Sequence, residues 1–120
     1  MIENQIISQR QASNRGQSTP NASVQVTAVL PGGIALPATA RVFVSAIIIS
    51  ASGPGTSTVQ LRSNGTIIVN FGSVALTTAP SILPVNAVIE QTPTGSINVL
   101  VGAAGAGVTT DVSLIANLIP

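Results

Sequence analysis

Glu90 and Asp111 are the residues with which this chain could do acid–base chemistry, and they have little company. Two carboxylates hydrolyse a glycosidic bond when a fold holds them about 5–10 Å apart across a cleft. The sequence pattern places each of them more simply at a solvated strand end. Histidine, cysteine, tyrosine and lysine are all absent, which removes the usual bases, nucleophiles and Schiff-base formers. A Ser-His-Asp triad cannot be built from what remains. Glu3, Glu90 and Asp111 are too scattered to converge on a divalent cation. The run Gly102-Ala103-Ala104-Gly105-Ala106-Gly107 lacks the glycine spacing and following helix of a phosphate-binding loop, and reads as a β-turn. The expectation is a chain with no catalytic, cofactor-binding or metal-binding residues and no small-molecule substrate. It is not expected to be an enzyme.

Arg41 and Arg62 are the remaining single residues of interest in the body of the chain. Both are expected to be solvated, or paired with Glu90 or Asp111 at subunit contacts. A net charge of +1 offers no electrostatic footprint for nucleic acid or an anionic membrane. No apolar run approaches the roughly 18 residues that span a bilayer. The N-terminus is polar where a secretory signal needs a basic start and an apolar core, so a soluble protein not exported by a classical signal is expected.

The elements that position these residues are strands. Residues 41–50 form the most β-prone run, apolar on both sides of the pleat. Strict alternation puts Val42, Val44, Ala46 and Ile48 on one side and Phe43, Ile47 and Ile49 on the other, as in a strand buried on both faces. A hairpin follows around Ser63-Asn64-Gly65. A three-residue loop pairs Arg62 with Thr66, Leu61 with Ile67 and Val59 with Val69. That register gathers Val59, Leu61, Ile67, Val69 and Phe71 on one face, whereas a two-residue loop would place Arg62 opposite Ile67 and Val59 opposite Asn70 and mix polar with apolar on both faces.

Elsewhere, Val24, Val26, Ala28 and Leu30 alternate up to Pro31-Gly32-Gly33, and residues 34–37 make a connector or edge segment. Residues 74–77 read as a short strand, and Pro80 and Pro84 bracket a loop. Residues 85–91 form a strand stopped by Thr92-Pro93-Thr94-Gly95, with residues 96–101 as its hairpin partner. Residues 109–119 close the domain with Val112, Leu114 and Ala116 on one face. About eight short strands with no helical period predict an all-β fold, a single antiparallel β-sandwich of jelly-roll-like form. The body is residues 22–120. Residues 1–21, rich in Gln, Asn and Ser, form an extended or flexible N-terminal arm that could reach about 65 Å.

Apolar residues make up 45% of the chain but charged ones only 6%, against about a quarter in a typical domain. So few charges leave little to stop strand edges pairing with neighbours, which favours a surface covered in an assembly. A polar Gln/Asn-rich arm before a small, cysteine-free, charge-poor β-sandwich resembles the decoration (cement) proteins of tailed bacteriophage capsids. That resemblance implies a non-enzymatic virion structural protein on the outer capsid surface, binding the major capsid protein and self-associating as a homotrimer. It places the partner contacts in the arm, at Ile2, Ile6, Ile7, Arg10 and Arg15. Two alternatives share the composition: a tail or head-fibre structural module, and a carbohydrate or cell-surface binding β-module. The second is disfavoured by the absence of Trp and Tyr.

Overall fold

Ten strands and no helix make up the computed structural model, which describes residues 11–91 and 96–119. They are β1 (Asn14–Gln17), β2 (Val24–Thr27), β3 (Val29–Leu30), β4 (Ile34–Ala35), β5 (Arg41–Ala51), β6 (Gly55–Ser63), β7 (Thr66–Leu76), β8 (Ser81–Glu90), β9 (Ile97–Val101) and β10 (Thr110–Ile119). Eight of them form two four-stranded antiparallel sheets. Sheet A has the order β1-β10-β5-β8 and sheet B the order β2-β9-β6-β7, with β3-β4 a small separate hairpin.

The topology is that of one long hairpin rolled up. Four ladders are centred near the same point of the sequence, Asn64-Gly65. Ser63 pairs with Thr66, Ile49 with Ser81, Val24 with Val101 and Asn14 with Leu114. Rolling this ribbon then brings β10 against β5 and β9 against β6, closing the two sheets. This is the jelly-roll arrangement, and the expected β-sandwich is what the chain forms. The core is the space between the sheets. Ile47, Ile49 and Leu114 reach it from sheet A, and Leu61, Leu76 and Ile97 from sheet B, all fully buried. The inward placing of Val112, Leu114 and Ala116 matches the sequence pattern.

The turn at the apex differs from the expected one. Asn64 and Gly65 have φ of 53° and 79° and form a two-residue loop directly between Ser63 and Thr66. Both central residues in the left-handed region define the type I′ turn, whose twist matches that of the strands. Two bulges in β7 then restore the core register, so that Leu61 pairs with Val69 although Arg62 pairs with Ile67. Ile67 therefore faces outward, 45% exposed, instead of joining the core.

Three further expectations are corrected. Residues 74–76 continue β7 through Gly72, and Pro84 lies within β8 instead of bordering a loop. β9 is not the hairpin partner of β8. It crosses to sheet B, between β2 and β6. The expected turn at residues 92–95 lies outside the described residues.

The sandwich also reaches further back than residue 22. Asn14–Gln17 is an edge strand of sheet A, and the Ala12 side chain is fully buried. The Ser13 hydroxyl donates to the Ala116 carbonyl and accepts from the Ala116 N–H, both at 3.0 Å. The Ser18 hydroxyl accepts from the Thr110 N–H at 2.9 Å and bonds the Thr110 hydroxyl at 3.0 Å, with both residues buried. Replacing Ser18 with Ala strands a buried N–H, and a loss of about 1–3 kcal/mol is expected from the urea midpoint. An unchanged midpoint would mean that water reaches Thr110.

Candidate interaction face

Glu90 pairs across the ladder with Arg41, and Asp111 with Ser50. Arg41 and Ser50 stand near the two ends of β5, so the carboxylates are about 30 Å apart at ~3.3 Å per residue. That separation is far beyond what glycoside hydrolysis needs. Among the described residues no three Asp, Glu, His or Cys come together as a metal site would require.

What the fold does assemble is an apolar face. The ladder of β5 slips at Ser45 against both neighbours, a β-bulge that changes which side each residue takes. Val42, Val44, Ile47, Ile49 and Ala51 all point into the core as a result. Phe43, Ala46 and Ile48 are left on the outside of sheet A, half-buried by their neighbours. Opposite them on β8 stand Val88, Pro84 and Ile82, and opposite Ala46 on β10 stands Ile115. Ile82 is 66% and Val88 54% exposed, so nothing among the described residues covers them.

Charged residues stand only at the ends of this band. Arg41 and Glu90 mark one end. At the other, Asp111 on β10 neighbours β1, where Gln17 is its partner and Arg15 lies two residues along on the same outer side. An open groove of about 350 Å³ beside the band is lined by Ser13, Asn14, Arg15, Ser113, Leu114 and Ile115. Of the partner contacts expected from sequence, Arg15 lies on this face. Ile2, Ile6, Ile7 and Arg10 lie outside the described residues.

The opposite surface of the sandwich is polar along β2, β9 and β6, with Ile67 and Ile68 exposed on the edge strand β7. Gln60, Arg62, Gln25, Thr27 and Asn98 share the outer side of sheet B. The Arg62 guanidinium donates to the Gln60 carbonyl oxygen from Nε at 3.0 Å and from a terminal nitrogen at 2.6 Å. Neither Glu90 nor Asp111 pairs with Arg62 along the ladders, since both carboxylates belong to sheet A. Phe71 packs against the core.

Exposed strand edges are guarded without lysine. The long edge strands are β7 and β8. β7 carries two bulges, and β8 carries Pro84, which has no N–H, next to a ladder break at Asn86 with φ of 51°. Bulges and proline bend an edge away from further pairing. Among the described residues the face of sheet A gathers three of the six large exposed apolar side chains, Ile82, Val88 and Ile115, the others being Ile34, Ile67 and Ile68.

No protein-family model matches the chain, and no curated protein does. Among solved structures it is similar to the N-terminal cellulose-binding domain of a β-1,4-glucanase from Cellulomonas fimi. The identity is 17%, over 90% of this chain and 78% of that one, with a TM-score of 0.48. A chain of the cyanophage Pam1 capsid asymmetric unit is 14% identical over 92% of this chain and 86% of its own, at a TM-score of 0.46. A carbohydrate-binding module described as CBM4 is 16% identical over 89% and 84%, at 0.45. These likenesses are of chain layout, and none of their residues is transferred here.

Six residues of the face escaped the sequence reading: Phe43, Ile48, Ile82, Pro84, Val88 and Ile115. Their signal was present as the two-sided apolarity of residues 41–50, read there as burial within one chain. The second apolar side is real, but its cover is not part of this chain's described structure.

Proposed function

We propose that this chain is a non-enzymatic structural protein of a virion, a decoration protein that binds the assembled head shell. The observation that carries the reading is the uncovered apolar face of sheet A on a chain with so few charges. A surface of that kind is stable in water when a partner covers it. The wide separation of Glu90 and Asp111 supports a structural over a catalytic role. The choice of a virion shell as the assembly rests on the layout that resembles decoration proteins. The partner is the major capsid protein, and the location is the outer surface of the capsid. Arg15 on the face, and Ile2, Ile6, Ile7 and Arg10 of the N-terminal segment, are the proposed contacts to it.

A carbohydrate-binding role would use the outer side of sheet B, where Gln25, Gln60 and Asn98 offer amides but no aromatic ring stands beside them. The two readings separate in one experiment. Purified chain mixed with undecorated shells of its cognate major capsid protein is expected to co-sediment with them, and to give no signal on a glycan array. Glycan binding without shell binding would overturn the proposal.

A further inference from the structure

We infer that the outer face of sheet A is closed by a second copy of this chain, face to face about a two-fold axis. The inference rests on the reading of that face as an assembly surface and names its occupant as a second copy, in place of the three-fold association that the resemblance implies, leaving the N-terminal segment and Arg15 on the edge strand β1 to contact the shell. The arrangement of charge supports a copy over an unrelated partner. Arg41 and Asp111 lie at opposite ends of the face, on adjacent strands, with the apolar band between them. Consider an axis running across the strands near Ile115, Ala46 and Pro84, residues that are neighbours in the ladders. It lays the band of one copy on the band of the other and sets each Arg41 over the partner's Asp111. The contact is self-complementary, as a two-fold interface must be, and it closes at two copies.

The size is adequate. Four strands at ~4.8 Å spacing and about 30 Å of β5 give a face of roughly 500 Å², hence about 1,000 Å² buried in all, the lower bound for a specific interface. Two sheets packed at ~10 Å with nearly aligned strands would bury Ile82, Ile48 and Val88 much as the sandwich interior buries its own residues. Four of the five charged residues in the described structure stand on this face, Arg41, Glu90 and Asp111 at its ends and Arg15 on the edge strand β1 level with Ile48, all at the margin where a rim needs them.

Light scattering after size exclusion on the full chain is expected to give the mass of two chains. Arg41→Asp and Asp111→Arg are each expected to give one chain, because each sets like charges against each other twice. Mixing those two variants is expected to restore a two-chain particle, since every 41–111 contact across it then joins opposite charges. Ile82→Asp/Val88→Asp should also give one chain, with an unchanged far-UV spectrum. A wild-type mass of one or of three chains would overturn the inference. So would variants that stay paired on their own, or a mixture that does not associate. The same wild-type sample is then tested on shells. A single chain that binds shells sinks the two-fold contact alone, whereas a pair that ignores shells sinks the decoration reading alone.

Discussion

Deleting residues 1–21 is expected to lower the urea midpoint of the sandwich sharply, whereas deleting residues 1–10 is expected to leave it in place. The first truncation removes β1 entirely. It uncovers the edge of β10, empties the site of the buried Ala12 side chain, and takes away the hydroxyls of Ser13 and Ser18. The N–H groups of Ala116 and Thr110 lose their partners, and an unsatisfied buried donor costs about 1–3 kcal/mol. The contact of the Asn14 amide with the Thr27 carbonyl, at 2.9 Å across the sandwich, goes too. The sum is at least ~4 kcal/mol, a large share of the roughly 5–15 kcal/mol that holds a domain of this size. Urea unfolding followed by far-UV circular dichroism reads the effect directly. If the longer truncation kept the wild-type midpoint, β1 would be an ornament and the body would begin at residue 22 after all. The shorter truncation then isolates the arm. A loss of shell binding at constant midpoint would assign that binding to Ile2, Ile6, Ile7 and Arg10.

Adjacent isoleucines in β5 are expected to differ several-fold in their effect on stability. Ile47 is fully buried between the sheets. Replacing it with Ala should cost about 2–5 kcal/mol, the lost transfer energy plus the cavity left behind. Ile48 lies on the outer face beside Ile82 and Ser113. Its replacement with Ala should cost about 1 kcal/mol or less, in the range of surface changes, and should weaken association instead. The comparison tests the bulge at Ser45. With strict alternation from Val42 and Val44, Ile48 would be the core residue and Ile47 the outer one. An Ile48→Ala variant that melts first would restore that alternation and remove the apolar face.

Much of the architecture was legible in the residues. Runs of Val, Ile and Thr between Gly, Pro and Asn turns, at short spacing and without a helical period, already required an antiparallel sandwich. The Asn64-Gly65 pair marked the apex around which four of the ladders are centred. The strand at residues 14–17 was not legible. Its residues, Asn-Arg-Gly-Gln, have no apolar alternation, because an edge strand is held by backbone hydrogen bonds and by hydroxyls from Ser13 and Ser18. Such bonds leave no hydrophobic signature. The partner of β9 was equally hidden, since nothing local distinguishes a hairpin with β8 from a crossing to the other sheet.

By composition and pattern alone, the sequence determined the β class, the turn at Asn64-Gly65 and the two-sided apolarity of β5. It also determined the absence of His, Cys, Tyr and Lys, because residue types need no fold to be counted. Only the tertiary structure decided which isoleucine is core and which is surface. A bulge moves a side chain from one face to the other through backbone geometry alone, and the choice is made where β5 meets β8 and β10, residues far away in sequence. It likewise decided that the charged residues of β1, β5, β8 and β10 lie at the ends of one apolar face, since that juxtaposition exists only after the ribbon has rolled.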